Sequence, residues 1–493
     1  MAIKHKTTFL PFLFMVFVLM LLAGCGSSSS PDPPAPVPAP LNATNVNLIF
    51  VVSEDVAYHA PGDINPLTAN LTSQGLQRSL LMATFLKQQV LGTKNVTGIY
   101  ALAPMTHLQT SNQYPDMVAP ETIQQFALLN QVTLSSDLEG GSPCSGQNYP
   151  INASYASEPL PDAVAPPSEF CANCKGLDFN DRHSDNEAMV SGILKNVPGF
   201  YVFSAPWETV SALLTNINTL EGYNLTLPAG YAGPNYVYAI SVSPSGSASL
   251  VTYDSKLNPP SSYPVLPPPK LTSAACNAQT PFNITLTGGQ GGVVVPAGTN
   301  TNETVYIIRH AEAHPKAYWS DNNYVGAGQW RALDLPHALR GKINLPNQVF
   351  SMDPGQFSSG SVAATGDSTW STLAPALTAE PYAIANGLPY GLVTSFLMTD
   401  TNANALTSSF FFNGGTFSNQ TVLVAWAYQF IQPMMTKLLA TYHGTGSAVP
   451  AWPATDYDSI WTVKLDSHGN LTVNNSLCEG IDSTALPAMP PQF

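Results

Sequence analysis

The sequence predicts an α/β protein built as two tandem, similarly ordered domains on mostly parallel sheets. Three observations carry this. Apolar runs of strand length alternate with segments whose apolar residues recur at helical spacing. The same order of segments runs twice along the chain. Each run closes on a hairpin around a polar turn. Alternating strands and helices imply a sheet covered on both faces, an αβα sandwich of three layers, and such sheets take ligands beyond the carboxyl ends of their strands. The 493 residues suit two domains better than one core.

The chain starts MAIKHKTTFLPFLFMVFVLMLLAGC, with Lys4 and Lys6 before an apolar run and Leu22-Ala23-Gly24-Cys25 after it. This resembles a bacterial lipoprotein signal peptide, residues 1–24, that leaves Cys25 as the lipidated residue. An uncleaved anchor is the alternative, because the run approaches the roughly 18 residues a span needs. Pro11 and the placing of Cys25 argue against it. Residues 25–45, rich in Ser and Pro, form a tether. The body is therefore expected at the bacterial cell envelope, lipid-anchored on the periplasmic or extracellular face.

Only 10% of the residues are charged, against roughly a quarter in typical soluble proteins, and the net charge is -14. An acidic, arginine-poor chain cannot neutralise many phosphates, which excludes nucleic acid as a main partner.

The first copy spans residues 46–257. VNLIFVV reads as a strand, LTSQGLQRSLLMATFLKQQ as a helix and VTGIYALAP as a strand; GFYVFSAPWETVSALLTNI adds a later strand and helix, and YVYAISVSPSGSASLVTYD a hairpin. Residues 136–190 have no counterpart in the second copy and read as a surface insertion. Within it Cys171 and Cys174, with Cys144 and His183, have the residue types of a zinc site, but an exported compartment favours disulfides. Five cysteines remain besides Cys25, an odd number. Residues 258–302, crowded with Pro, Gly and Thr, read as a linker rather than an element, and a Cys276–Cys478 disulfide could fasten it.

The second copy, 303–493, repeats the order: ETVYII, VGAGQWRALDLPHALRGKI, NQVFSMDP, QTVLVAWAYQFIQPMMTKLL and the hairpin YDSIWTVKLDSHGNLTVNN. Its first strand ends in Arg309-His310, followed by Glu312. A neutral imidazole at a strand end can attack phosphorus if its other nitrogen is held by the backbone, and a neighbouring guanidinium can grip phosphate oxygens. Glu312 and His314 share the following loop, where either serves as a proton donor or meets water.

An apolar strand ending in Arg-His, a Gly-containing helix, a strand ending in a Ser-x-x-Pro-like turn and the late strand VLVAW together resemble the histidine phosphatase superfamily, also called phosphoglycerate-mutase-like. The resemblance covers nearly all of 303–482 and, more faintly, 46–256. It implies two tandem phosphoglycerate-mutase-like domains and phosphomonoester hydrolysis through a phosphohistidine at His310, with Arg309 as phosphate clamp and a small phosphorylated or anionic ligand as partner. It calls for no cofactor and no metal.

Departures from the family pattern point to the alternative, a degenerate relative that binds such a ligand without turnover or serves a structural role. Ala374 falls near the place of the second arginine, and Tyr428 or Ala427 near that of the second histidine; Tyr428 offers only a neutral hydrogen bond. The chain has five arginines, Arg78, Arg182, Arg309, Arg331 and Arg340, and the last two are expected on a helix face toward solvent. In the first copy Ser53 and Glu54 fall where Arg-His belongs, His107 near the second arginine, and Trp207 with Glu208 near the second histidine. Glu54, His59, His107 and Glu208 would then line a polar cleft.

Overall fold

The computed structural model describes residues 38–104, 108–109, 114–130, 151–152, 177–179, 185–269, 271, 276, 280–313, 323–354, 372–393, 402–443 and 449–493, and Pro38–Phe493 form one compact unit. Cys25, Cys144, Cys171, Cys174, His107, His183, Arg182 and His314 lie outside the described residues.

In the first half β1 (Val46–Val52) is followed by α1 (Ser73–Phe85), β2 (Gly98–Ala101), β3 (Leu108–Gln109), β4 (Tyr114–Pro115), α2 (Val118–Leu129), β5 (Ile151–Asn152), α3 (Asp185–Leu194), β6 (Gly199–Ala205), α4 (Trp207–Leu220), β7 (Tyr236–Val242) and β8 (Ala248–Asp254). β9 (Asn283–Leu286) precedes the second half. There β10 (Glu303–Arg309), α5 (Gly326–Ala338), β11 (Gln348–Met352), α6 (Ala374–Asn386), β12 (Tyr390–Val393), α7 (Ala403–Phe412), β13 (Thr421–Trp426), α8 (Tyr428–Thr441), β14 (Ser459–Leu465) and β15 (Leu471–Cys478) follow.

β1 is buried along its whole length, as expected for a β-branched and aromatic run covered on both faces. β10 is nearly so. The sheets run β5-β2-β6-β1-β7-β8 and β12-β11-β13-β10-β14-β15-β9. Six strands in each occupy matching places. β1 pairs in parallel with β6 and antiparallel with β7, and β10 likewise with β13 and β14.

The fold is α/β, but the sheets are mixed rather than mostly parallel. In the second, β11–β12, β11–β13 and β10–β13 are parallel while β10–β14, β14–β15 and β15–β9 are antiparallel. The cause is the closing hairpin of each half, which occupies the free edge of the first strand and lets no crossover pair there. A second correction concerns 258–302. Asn283–Leu286 is a strand, β9, paired with β15. The Cys276–Cys478 disulfide is formed, joining this stretch to the end of β15.

The turn from strand end to helix is built alike in both halves. Asp63 O accepts from Thr72 N at 2.9 Å and Glu312 O from Val325 N at 2.8 Å. Ile64 bridges Leu71, and Ala313 bridges Tyr324. Three residues past Thr72 and Val325 stand Gly75 and Gly328. A Cβ there would lie 2.1 Å from Asp63 O or 2.6 Å from Glu312 O, a closeness only glycine admits. Three residues further, Arg78 pairs with Asp63 and Arg331 with Glu312.

Candidate functional site

The site is assembled at the carboxyl end of β10. Arg309 is the last residue of that strand, opposite Trp426, and His310 N extends the pairing by one bond to Trp426 O at 3.1 Å. Beyond it, Ala311 N donates to Thr378 Oγ1 at 2.8 Å, and Thr378 Oγ1 in turn donates to Ala374 O at 2.6 Å. The chain leaving the strand is thus fixed to the first turn of α6.

His310 is buried, and its Nδ1 lies 2.8 Å from Ala311 O. Since a carbonyl only accepts, Nδ1 carries the proton and Nε2 keeps its lone pair. Burial, then the Arg309 charge, lowers the imidazole pKa to about 3, against the pull of the Ala311 bond. The ring stays neutral across physiological pH.

Arg309 is 3% exposed. Its Nη1 donates to Ala454 O and, at 3.3 Å, to Asp456 O. The guanidinium lies between two tyrosine rings, 4.0 Å from the Tyr428 centroid and 3.7 Å from that of Tyr457, contacts worth up to about 2 kcal/mol when desolvated. Burial lowers its pKa from the usual arginine value. With both faces covered and Nη1 engaged, its Nε is buried and has no hydrogen-bond partner among the described residues. Tyr457 also meets the His310 ring edge-on, centroids 6.2 Å apart.

Arg309, His310 and Tyr428 therefore lie together at this strand end. Glu312 does not belong with them as a proton donor or water-facing group. Its carboxylate takes Arg331 Nε at 2.9 Å on both oxygens, Nη2 at 2.8 Å and Ser483 Oγ at 2.7 Å. Arg331, expected to face solvent, is fully buried. It also donates to Glu479 Oε2 at 2.5 Å, Ile481 O and Ser483 Oγ. A helix pattern alone could not show that the C-terminal segment folds over this face. Arg340 is exposed, as expected, and Ala374 is buried at the start of α6, bringing no charge.

Two contributors escaped the sequence reading. Tyr457 arrives from the loop before β14, with no local pattern to mark it. Arg331 had a signal, because Gly-x-x-Arg occurs at the same helical place in both halves, at Gly75 and Gly328.

In the first half Ser53 N bonds to Ala205 O at 2.9 Å and Val52 faces Ala205. Val52 and Ser53 thus stand where Arg309 and His310 stand, one residue earlier than Ser53 and Glu54; only the pairing register reveals the shift. His59 Nδ1 lies 3.1 Å from Asp55 O and Glu54 Oε2 accepts from Ala60 N at 3.0 Å. Among the described residues no His, Cys, Asp and Glu group is placed to hold a metal ion, and no helix is long and apolar enough to cross a membrane.

No protein-family model matches the chain, and no curated protein matches it. Solved structures to which it is similar include the protein histidine phosphatase SixA complexed with tungstate, at 18% identity over 36% of this chain and 97% of that one, TM-score 0.23. Another is Mycobacterial hydrolase 2, at 12% identity over 43% and 93%, TM-score 0.24.

Proposed function

We propose that the second half transfers a phosphoryl group from a small phosphomonoester to His310 Nε2, slowly, and releases it to water. The observation that carries this reading is the Nδ1 contact to Ala311 O at 2.8 Å, which leaves Nε2 unprotonated and aimed away from its own backbone. In the first step the P–N bond forms as the ester P–O bond breaks, and the leaving oxygen takes a proton from water. In the second, water attacks phosphorus, the P–N electrons return to the ring, and inorganic phosphate leaves. Arg309 holds two phosphoryl oxygens through its open edge.

Turnover is slow because Arg309 stands without the charged helpers of the family pattern. Ala374 and Tyr428 bring no cation, and each lost donor costs about two to three decades. A second reading, ligand binding without turnover, draws support from the Arg331–Glu312 pair, which withdraws both groups from chemistry.

The reading extends to the whole chain. Residues 46–257 and 303–493 are tandem phosphoglycerate-mutase-like copies, supported by the matching Asp63–Gly75–Arg78 and Glu312–Gly328–Arg331 turns. The protein is an envelope lipoprotein anchored at Cys25, and the Cys276–Cys478 disulfide suits that oxidising location.

The test is to offer the full chain several phosphomonoesters and quench in denaturant. Acid-labile phosphate on the parent and none on His310→Ala is the expected outcome. Phosphate binding with no trapped phosphate would leave the second reading, and neither binding nor trapping would discard both.

A further inference from the structure

α7 and α8 enclose, with the loop before β10, a cavity of about 330 Å³. The loop is tied to both helix ends. Val294 N donates to Tyr442 O at 3.2 Å, Asn300 N to Phe412 O at 3.1 Å and Asn413 Nδ2 to Ala297 O at 3.1 Å. Three mutually bonded segments therefore frame the space. Its floor is Phe412 and Leu438, 2% and 4% exposed, and Pro296, Ala405 and Ala440 continue the apolar lining. About 150 Å³ suffices for a benzene ring, so this cavity holds a body of roughly ten non-hydrogen atoms.

Most polar groups in the lining are already engaged. Thr299 Oγ1 donates to Pro296 O at 2.8 Å, Thr441 Oγ1 to Leu438 O at 2.6 Å and the Tyr442 hydroxyl to Gly469 O at 2.7 Å. The carbonyls at the two helix ends are taken as well: Asn300 Nδ2 reaches Phe411 O, Tyr442 N reaches Leu439 O and His443 N reaches Ala440 O. What remains is a set of donors. Lys437 Nζ and the Ser408 hydroxyl line the cavity and have neither ion pair nor hydrogen bond among the described residues. Ser408 is 3% exposed, and a buried hydroxyl left without a partner is costly. No Asp or Glu stands in the lining, in a chain of net charge -14.

We propose that this cavity binds a monocarboxylate with an apolar chain of about eight carbons, its carboxylate held by Lys437 Nζ and the Ser408 hydroxyl and its chain lying over Phe412 and Leu438. An apolar pocket with a few polar groups that fix orientation is the usual form of a small-molecule site. Lys437 is exposed, so its charge sits at the mouth while its stem extends the apolar wall. The carboxylate accepts from the two free donors and the chain displaces water from the floor. None of the lining residues belongs to the His310 site.

Titration calorimetry of the full chain with sodium octanoate tests this, with acetate as the head group alone and octylammonium chloride as the same chain with the opposite charge. Octanoate should bind once per chain, and neither control should bind. Lys437→Gln should weaken octanoate about fivefold, the size of an exposed ion pair, and the difference should shrink at high salt. Ser408→Ala should weaken it about tenfold, as for a hydrogen bond to a charged group. Ala440 is exposed, so Ala440→Trp should fold, fill the mouth and abolish binding. His310→Ala should bind as the parent does, which separates this site from phosphoryl transfer. No octanoate binding, equal binding of octylammonium, or unchanged affinity in any of the three cavity variants would overturn it.

Discussion

Replacing Arg331 by methionine is the most severe single perturbation the structure identifies away from the reacting atoms. The guanidinium is fully buried and bonds to Glu312, Glu479, Ile481 O and Ser483 Oγ. Methionine fills most of the volume, so the loss isolates the charge. Removing one partner of a buried ion pair costs about 3 to 5 kcal/mol, because the other charge stays buried and unpaired. Here two carboxyls are abandoned, which places Arg331→Met near the upper figure. Burial already lifts Glu479 toward neutrality while Arg331 pulls it back; without Arg331 it protonates more readily. The deficit should therefore shrink as pH falls from 8 to 5, because protons then supply the neutralisation that arginine supplied. Urea unfolding of parent and variant at both pH values measures this, and adding Glu312→Gln to the variant should recover part of the loss. A deficit below about 1 kcal/mol, or one that grows on acidification, would refute the account of this pair as a buried structural tie.

Two further outcomes follow from buried groups. Gly75→Ala and Gly328→Ala each drive a Cβ into a loop carbonyl, so each should destabilise by about 1 to 3 kcal/mol in chemical denaturation; tolerance of either would mean the loop yields freely. Glu121 in α2 and Glu380 in α6 are buried with unpartnered oxygens. Burial raises Glu121 to about 8, and burial with the Glu121 and Asp116 charges raises Glu380 well above its usual range. Both are protonated when folded and ionise near 4.5 when unfolded. Their contribution is complete below that value and is lost as pH rises toward about 8, at up to about 1.4 kcal/mol per pH unit per group. The melting temperature should fall between pH 5 and pH 8, less steeply in Glu380→Gln, and a flat or rising profile in the parent would contradict the assignment.

The parts of this fold that were legible in the sequence are those set by local burial. VNLIFVV and ETVYIIR can only be central strands, and both closing hairpins carry their polar turns. What was not legible depends on partners distant along the chain. NITL, four residues among Pro and Gly, becomes β9 only because β15 offers it an unpaired edge. Ser53 takes the place of His310 through its pairing with β6, and no comparison of the two strand sequences could fix that register.

The same distinction holds in the site, and charge scarcity explains both its legible and its hidden parts. Of five arginines, Arg78, Arg309 and Arg331 are buried. A buried guanidinium requires compensation. Arg78 and Arg331 find it in carboxylates brought by the loop just before their own helix, so each is a structural tie. Arg309 has no carboxylate within ion-pair distance among the described residues. It has two carbonyls, two tyrosine rings and a bare Nε. Rings and carbonyls compensate a cation only partly, and a bound oxyanion is the ligand that would complete the task, beside an imidazole whose Nδ1 the backbone holds.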